Sequence, residues 1–194
     1  LIVGTDFDKD GKSLTDSGYP RTVREWKRGT PLSESKQIQE GAKTDVSVQS
    51  WVTKHKGHKF QFCCLAHTFY TETLLMKLQL GSWVKVPKPE DSDMMVFADK
   101  FILRLRSDWK IDAKTTFKTG SVVAVDGKEL VQKAEKATFT VLYEPTARGS
   151  LDSMTHTHNY VVLQTLENDL SKVIFWKVSK DKGCVLSTEE SVPS

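Results

Sequence analysis

Three times in succession this chain lays down four short β-prone runs, and that repetition limits its possible folds more than any other feature. The first group comprises residues 46–52, 60–66, 73–78 and 83–86, and the second 94–97, 101–105, 121–125 and 139–143. The third, 150–155, 160–166, 172–178 and 184–187, is the clearest, with Pro145-Thr-Ala-Arg-Gly149 and Glu167-Asn-Asp-Leu170 as turns before and within it. β-branched and aromatic residues fill the runs and turn formers separate them. The second run of each group starts at Phe60, Phe101 and Tyr160, spacings of 41 and 59 residues. A four-stranded propeller blade takes roughly 40 to 50 residues, and the wider spacing contains two loops, 108–120 and 127–136, that read as insertions. The expected fold is therefore all-β, a partial β-propeller of about three to four four-stranded antiparallel blades. As one domain over 1–194 it divides into an incomplete blade (1–44), a blade (45–90), a blade with insertions (91–145) and a last blade (146–194). Helical periodicity is confined to 128–136. A single β-sandwich also shows many short strands with frequent turns, but repetition in fours favours the propeller.

Composition names no partner. Of the 194 residues 38% are hydrophobic and 27% charged, with a net charge of +3, as in an ordinary globular domain. Basic residues alternate with apolar ones in Val23-Arg-Glu-Trp-Lys-Arg28 and Phe101-Ile-Leu-Arg-Leu-Arg106. That pattern places them on a solvated strand face, so no nucleic acid is expected as a partner. No apolar run approaches a membrane span, so no membrane is expected either. The chain opens on the strand-like Leu1-Ile-Val-Gly-Thr5 with no leader in front of it. Leu1 accordingly reads as a boundary within a longer chain, any targeting sequence lying outside. Cys63, Cys64 and Cys184 are odd in number, and the adjacent pair faces opposite sides of a strand. They read as small buried hydrophobes in a reducing compartment, which favours the cytoplasm.

Several residues invite chemistry. Asp6-x-Asp8-x-Asp10-Gly11 offers oxygen ligands to a hard cation such as calcium, but Ser17 stands where an EF-hand loop requires a bidentate Glu, and no flanking helix is expected. A polar loop is the preferred reading. His156 and His158 share a face if they lie on one strand, yet zinc needs a third protein ligand and none stands at a recognisable spacing. His55 and His58, in the basic turn-rich stretch 54–59, are expected in solvent. Cys63 and His67 form a conceivable thiolate pair, but an apolar strand makes inert packing the better reading. No metal, cofactor or catalytic residue is therefore assigned.

The blocks Ser13-Leu-Thr-Asp-Ser-Gly-Tyr-Pro-Arg21, Trp26-Lys-Arg-Gly-Thr-Pro-Leu32 and Asp45-Val-Ser-Val48 resemble the amino-terminal propeller region of the prolyl oligopeptidase family of serine peptidases. So do Leu103-Arg-Leu-Arg-Ser-Asp-Trp109 and Leu142-Tyr-Glu-Pro-Thr-Ala-Arg148 with Ser150-Leu151. The resemblance implies a seven-bladed propeller set over an α/β-hydrolase domain that carries a Ser, Asp and His triad. The Gly-x-Ser-x-Gly turn that exposes such a nucleophile occurs nowhere in these 194 residues. By the resemblance the triad belongs to another part of the enzyme, and the role implied here is a filter that limits which peptides reach the catalytic chamber. The implied partners are the α/β-hydrolase catalytic domain and the peptide substrates of the whole enzyme. Arg148, Arg104 and Arg106 with Asp108 fall inside the similar blocks. They either meet that domain or substrate, or pair with charges on neighbouring strands, and the second is preferred. Trp26, Trp51, Trp83, Trp109 and Trp176 are spread over the groups, which suits packing between blades better than a ligand cage. Blades at the ends of an incomplete ring lack a neighbour, so the isolated chain is expected to self-associate. The competing functional reading is a self-contained β-rich binding protein for a carbohydrate or protein ligand.

Overall fold

The computed structural model describes the backbone of residues 1–179 and 183–191, and side chains as far as Val178. Strands β1 (Ile2–Val3), β2 (Thr22–Glu25) and β3 (Lys36–Glu40) form a three-stranded sheet in that order. Next come β4 (Ser47–His55), β5 (His58–Ala66), β6 (Glu72–Lys77) and β7 (Trp83–Lys85), side by side in sequence order. The third sheet starts with β8 (Asp93–Phe97) and β9 (Lys100–Arg104). After the inserted hairpin β10 (Trp109–Lys110) and β11 (Thr116–Phe117), β12 (Val122–Asp126) and β13 (Phe139–Tyr143) complete it in the order β13-β12-β9-β8. The last sheet is the meander β14 (Gly149–His156), β15 (Tyr160–Glu167), β16 (Leu170–Ser179) and β17 (Gly183–Ser191). Four-stranded antiparallel meanders in series are the pattern of propeller blades, and the chain is an all-β partial propeller in which three four-stranded sheets follow a three-stranded one.

The turns follow from local chemistry. Lys56 and Gly57, with φ of 48° and 81°, join β4 to β5. Asn168 and Asp169, at 48° and 65°, join β15 to β16. Two successive residues with positive φ make the turn whose twist matches a two-residue hairpin, and Gly, Asn and Asp adopt it at least cost. The helix α1 (Gly127–Lys133) occupies the insertion between β12 and β13 and is continued by a 3-10 turn, Ala134–Lys136. Asp126 caps it, accepting from the N–H groups of Lys128 and Glu129.

The chain divides into two compact units, Leu1–Thr53 with Lys59–Val86, and Lys54–His58 with Pro87–Ser194. In the first, Val23, Val48 and Cys63 form a buried cluster, with Ile2, Ile38, Leu65, Leu75 and Trp83 against it. In the second, Phe97, Ile102, Val122, Ala124 and Leu142 of the third sheet meet Leu151, Val161, Leu163 and Ile174 of the fourth. Each core is therefore a contact between consecutive sheets, as blades require. The central strands β9 and β12 are buried at Phe101, Ile102 and Leu103 and from Val122 to Val125, because both of their faces are covered. On β15, by contrast, Val161, Leu163 and Thr165 are buried and the residues between them are not, the period-two pattern of one covered face.

Candidate functional site

Two polar constellations stand out, one in each unit. In the first unit His67, just beyond the end of β5, joins Asp45 and Thr73. Its Nδ1 lies 2.8 Å from Asp45 Oδ1 and its Nε2 2.8 Å from Thr73 Oγ1. A carboxylate only accepts, so Nδ1 carries the proton, and in the neutral ring Nε2 accepts from the threonine hydroxyl. The second carboxylate oxygen of Asp45 accepts from the Ala42 N–H at 2.8 Å. Asp45 is buried and His67 half-exposed. Hydroxyl, imidazole and carboxylate stand in the order of a nucleophile, its base and an orienting acid. Their placement in the sheet points to a structural clasp instead: Thr73 pairs with Leu65 in the β5–β6 ladder, and the imidazole ties that ladder to the 41–45 turn.

In the second unit the His55 ring packs on Phe97, with ring centroids 4.6 Å apart. His156 and His158 lie 5.0 and 5.8 Å from it. His55 Nδ1 accepts a 2.9 Å hydrogen bond from the Ala98 N–H, while its Nε2 is buried. This corrects the expectation that His55 stands in solvent, although His58 beside it is exposed. The sequence misled at this one position because β4 runs to His55, whose ring lies on Phe97 while Lys54, Lys56, Gly57, His58 and Lys59 stay exposed. His156 closes β14 and His158 lies in the turn after it, so the two do not share one strand face.

The other candidates are accounted for locally. Asp6 accepts from the Gly11 N–H and Asp10 pairs with Lys12 Nζ at 2.7 Å, so both carboxylates close the loop on itself, while Asp8 is exposed. Among the described residues no three His, Cys, Asp or Glu side chains are disposed to hold a metal ion. Burial pushes the Cys63 thiol up to about 12, and Cys64 Sγ donates to Glu72 Oε2 at 3.0 Å. Neither thiol pairs with His67, whose ring nitrogens are bonded to Asp45 and Thr73. The side chain of Cys184 lies outside the described residues.

Arg106 forms a two-pronged pair with Asp93, at 2.8 and 3.3 Å, and not with Asp108. Asp108 instead accepts from the Thr119 backbone and hydroxyl and from Lys118, which hold its carboxyl down at about 2. Arg104 crosses from β9 to β14, where a bulge at Asp152 frees carbonyl oxygens, and donates to Leu151 O and Asp152 O at 3.3 and 3.5 Å. Arg148 is exposed on the turn before β14. Of the tryptophans, Trp83 and Trp176 pack on the two cores. Trp109 forms an aromatic trio with Phe117 and Phe139 that seats the β10–β11 hairpin on β13. Trp51 tilts against Phe62, and Trp26 donates from Nε1 to Thr30 O.

No family model matches the chain. An uncharacterized peptidase of Sinorhizobium fredii, y4nA, is 27% identical over 170 residues, which is 82% of this chain and 23% of that protein. Another uncharacterized peptidase, RP174 of Rickettsia prowazekii, is 26% identical over 181 residues, 87% of this chain and 24% of that one. The chain thus spans about a quarter of the length of these curated relatives. Among solved structures, a post-proline cleaving enzyme from Rickettsia typhi superposes over the whole chain with a TM-score of 0.81, at 22% identity and over 30% of its own length. A structure from a study of two prolyl endopeptidases aligns with 91% of this chain and 25% of its own, with a TM-score of 0.56 and 16% identity. In sequence the chain resembles a segment of these peptidases, and in fold a segment of the post-proline cleaving enzyme.

Proposed function

We propose that this chain is a non-catalytic β-propeller segment of a longer, prolyl-oligopeptidase-like serine peptidase. In that enzyme it limits the size of peptide that reaches the catalytic chamber and contacts the α/β-hydrolase domain. The observation that carries the reading is similarity over 82% and 87% of this chain to about a quarter of the length of two peptidases, in a chain built on three four-stranded antiparallel meanders. That similarity weighs against a self-contained carbohydrate- or protein-binding domain. Surface groups offered for contact with the rest of the enzyme are Arg148 and the β5–β6 turn residues Phe69 and Tyr70, 81% and 83% exposed. Cys63 and Cys64 are thiols rather than halves of a disulfide, which accords with a reducing, cytoplasmic compartment. Fewer blades than the implied ring leave the isolated chain prone to self-association, which light scattering would report as a mass above that of one chain.

The gating role is tested on the longer peptidase with and without this segment, against a short chromogenic peptide and a long polypeptide. Removal should leave cleavage of the short peptide, which verifies that the catalytic domain is folded, and admit the long one. Unchanged discrimination between the two lengths would refute it.

A further inference from the structure

We propose that His55 is a proton-sensitive latch of the second unit: its neutral imidazole holds the 98–99 turn to the β4–β5 hairpin tip, and protonation releases that turn. Nδ1 accepts from the Ala98 N–H, so in the neutral ring the buried Nε2 carries the proton, on the side of the Thr157 backbone. A second proton has only Nδ1 to enter, and there it replaces an acceptor by a donor facing an amide N–H. The bond cannot survive that change. The same tautomer removes His55 from metal chemistry, since a ligating Nε2 needs a free lone pair.

The surroundings oppose the proton as well. The charged and titratable groups acting on the ring are His156 at the end of β14, His158 in the turn after it, and Lys56 of its own hairpin. Asp99, next to Ala98, is engaged by Lys100 at 3.2 Å. Burial first, then His156, His158 and Lys56, hold the His55 pKa below 6.5, against a smaller upward pull from the Thr157 backbone. A lowered folded-state value means that the stabilisation is fully present above 6.5 and is lost as pH falls through the folded value.

The released turn has somewhere to go. Ala98 holds a φ of 55°, in the left-handed region that side-chain-bearing residues seldom occupy. Phe97 beside it is fully buried in the core of the second unit and carries Lys56 Nζ over its ring at 5.3 Å. Opening at Ala98 relaxes the strained residue, and the neighbouring core ring loses its His55 cover.

The test is amide exchange at Ala98 in the full chain, followed by NMR as a function of pH and corrected for intrinsic exchange. Protection should fall by up to about tenfold per pH unit between 6.5 and the lowered folded value. The imidazole nitrogen shifts of His55 should show the Nε2–H tautomer near neutral pH. His55→Asn keeps an acceptor near the Nδ1 position without a titrating group, and its Ala98 protection should not vary with pH. Replacing His156 and His158 by Asn should move the loss to higher pH, because a proton on His55 then meets less opposing charge. Flat Ala98 protection in the unaltered chain, or an Nδ1–H tautomer, would overturn the latch, and both readouts stand even if the variants do not fold.

Discussion

His67 donates from Nδ1 to the buried carboxylate of Asp45 at 2.8 Å, and this bond ties the end of β5 to the 41–45 turn of the first unit. Asp45 also accepts from the Ala42 N–H at 2.8 Å. Asp45→Ala strips both donors of their acceptor, one of them a charge-assisted bond, and is expected to cost about 1–3 kcal/mol. A urea midpoint equal to that of the unaltered chain would show the clasp to be idle.

The Thr73 hydroxyl on the other side of His67 completes a nucleophile-like order, yet we expect no hydrolysis from the 194-residue chain. Peptide and ester substrates should remain intact and serine-directed phosphonates should not label it. Stoichiometric labelling at Thr73, abolished by Thr73→Val, would contradict the non-catalytic reading.

Gly127 opens α1 directly over the buried Phe101 ring. A Cβ at this position would stand 2.5 Å from Phe101 Cε1 and 2.6 Å from Cζ, closer than any real contact. Gly127→Ala should therefore destabilise by about 1–3 kcal/mol despite the better helix propensity of alanine. A melting temperature at or above the original value would show that the helix can shift to make room.

Asp126 caps α1 through Lys128 N and Glu129 N, at 3.0 and 2.9 Å, and meets Lys100 Nζ at 3.3 Å. Burial raises its pKa, but the Glu129 N–H, Lys100 and the Lys128 N–H outweigh that, and the net value falls below 3.8. Its stabilisation is thus present above 3.8 and lost as pH falls through the lower folded value. Asp126→Ala should cost about 1 kcal/mol at neutral pH. In urea titrations the gap between the variant and the unaltered chain should narrow in strong acid.

Cys63 is fully buried, and burial holds its thiol at about 12, so the thiolate that reacts with iodoacetamide is scarce at neutral pH. Mass spectrometry should find Cys63 unmodified in the native chain and alkylated in urea. Rapid native alkylation would mean that the first core opens readily.

The sequence by itself determined the grouping of strands into blades, because β periodicity and turn chemistry are local. Each run needs only its own alternation, and Asn168-Asp169 or Lys56-Gly57 needs only its own backbone preference. The same holds for α1, whose helical pattern lies within the 127–136 insertion. Tertiary structure decided the polar partnerships. Asp45 and His67 are 22 residues apart, and His55 and Ala98 are 43 apart. Arg106 turns to Asp93 across the sheet although Asp108 is nearer in the chain. A hydrogen bond is chosen by distance and angle after the strands have paired and the sheets have stacked, and no periodicity in the chain records that choice. In the sequence His55 reads as one more solvated basic residue for this reason: the packing of its ring on Phe97 and its bond from the Ala98 N–H distinguish it from exposed His58.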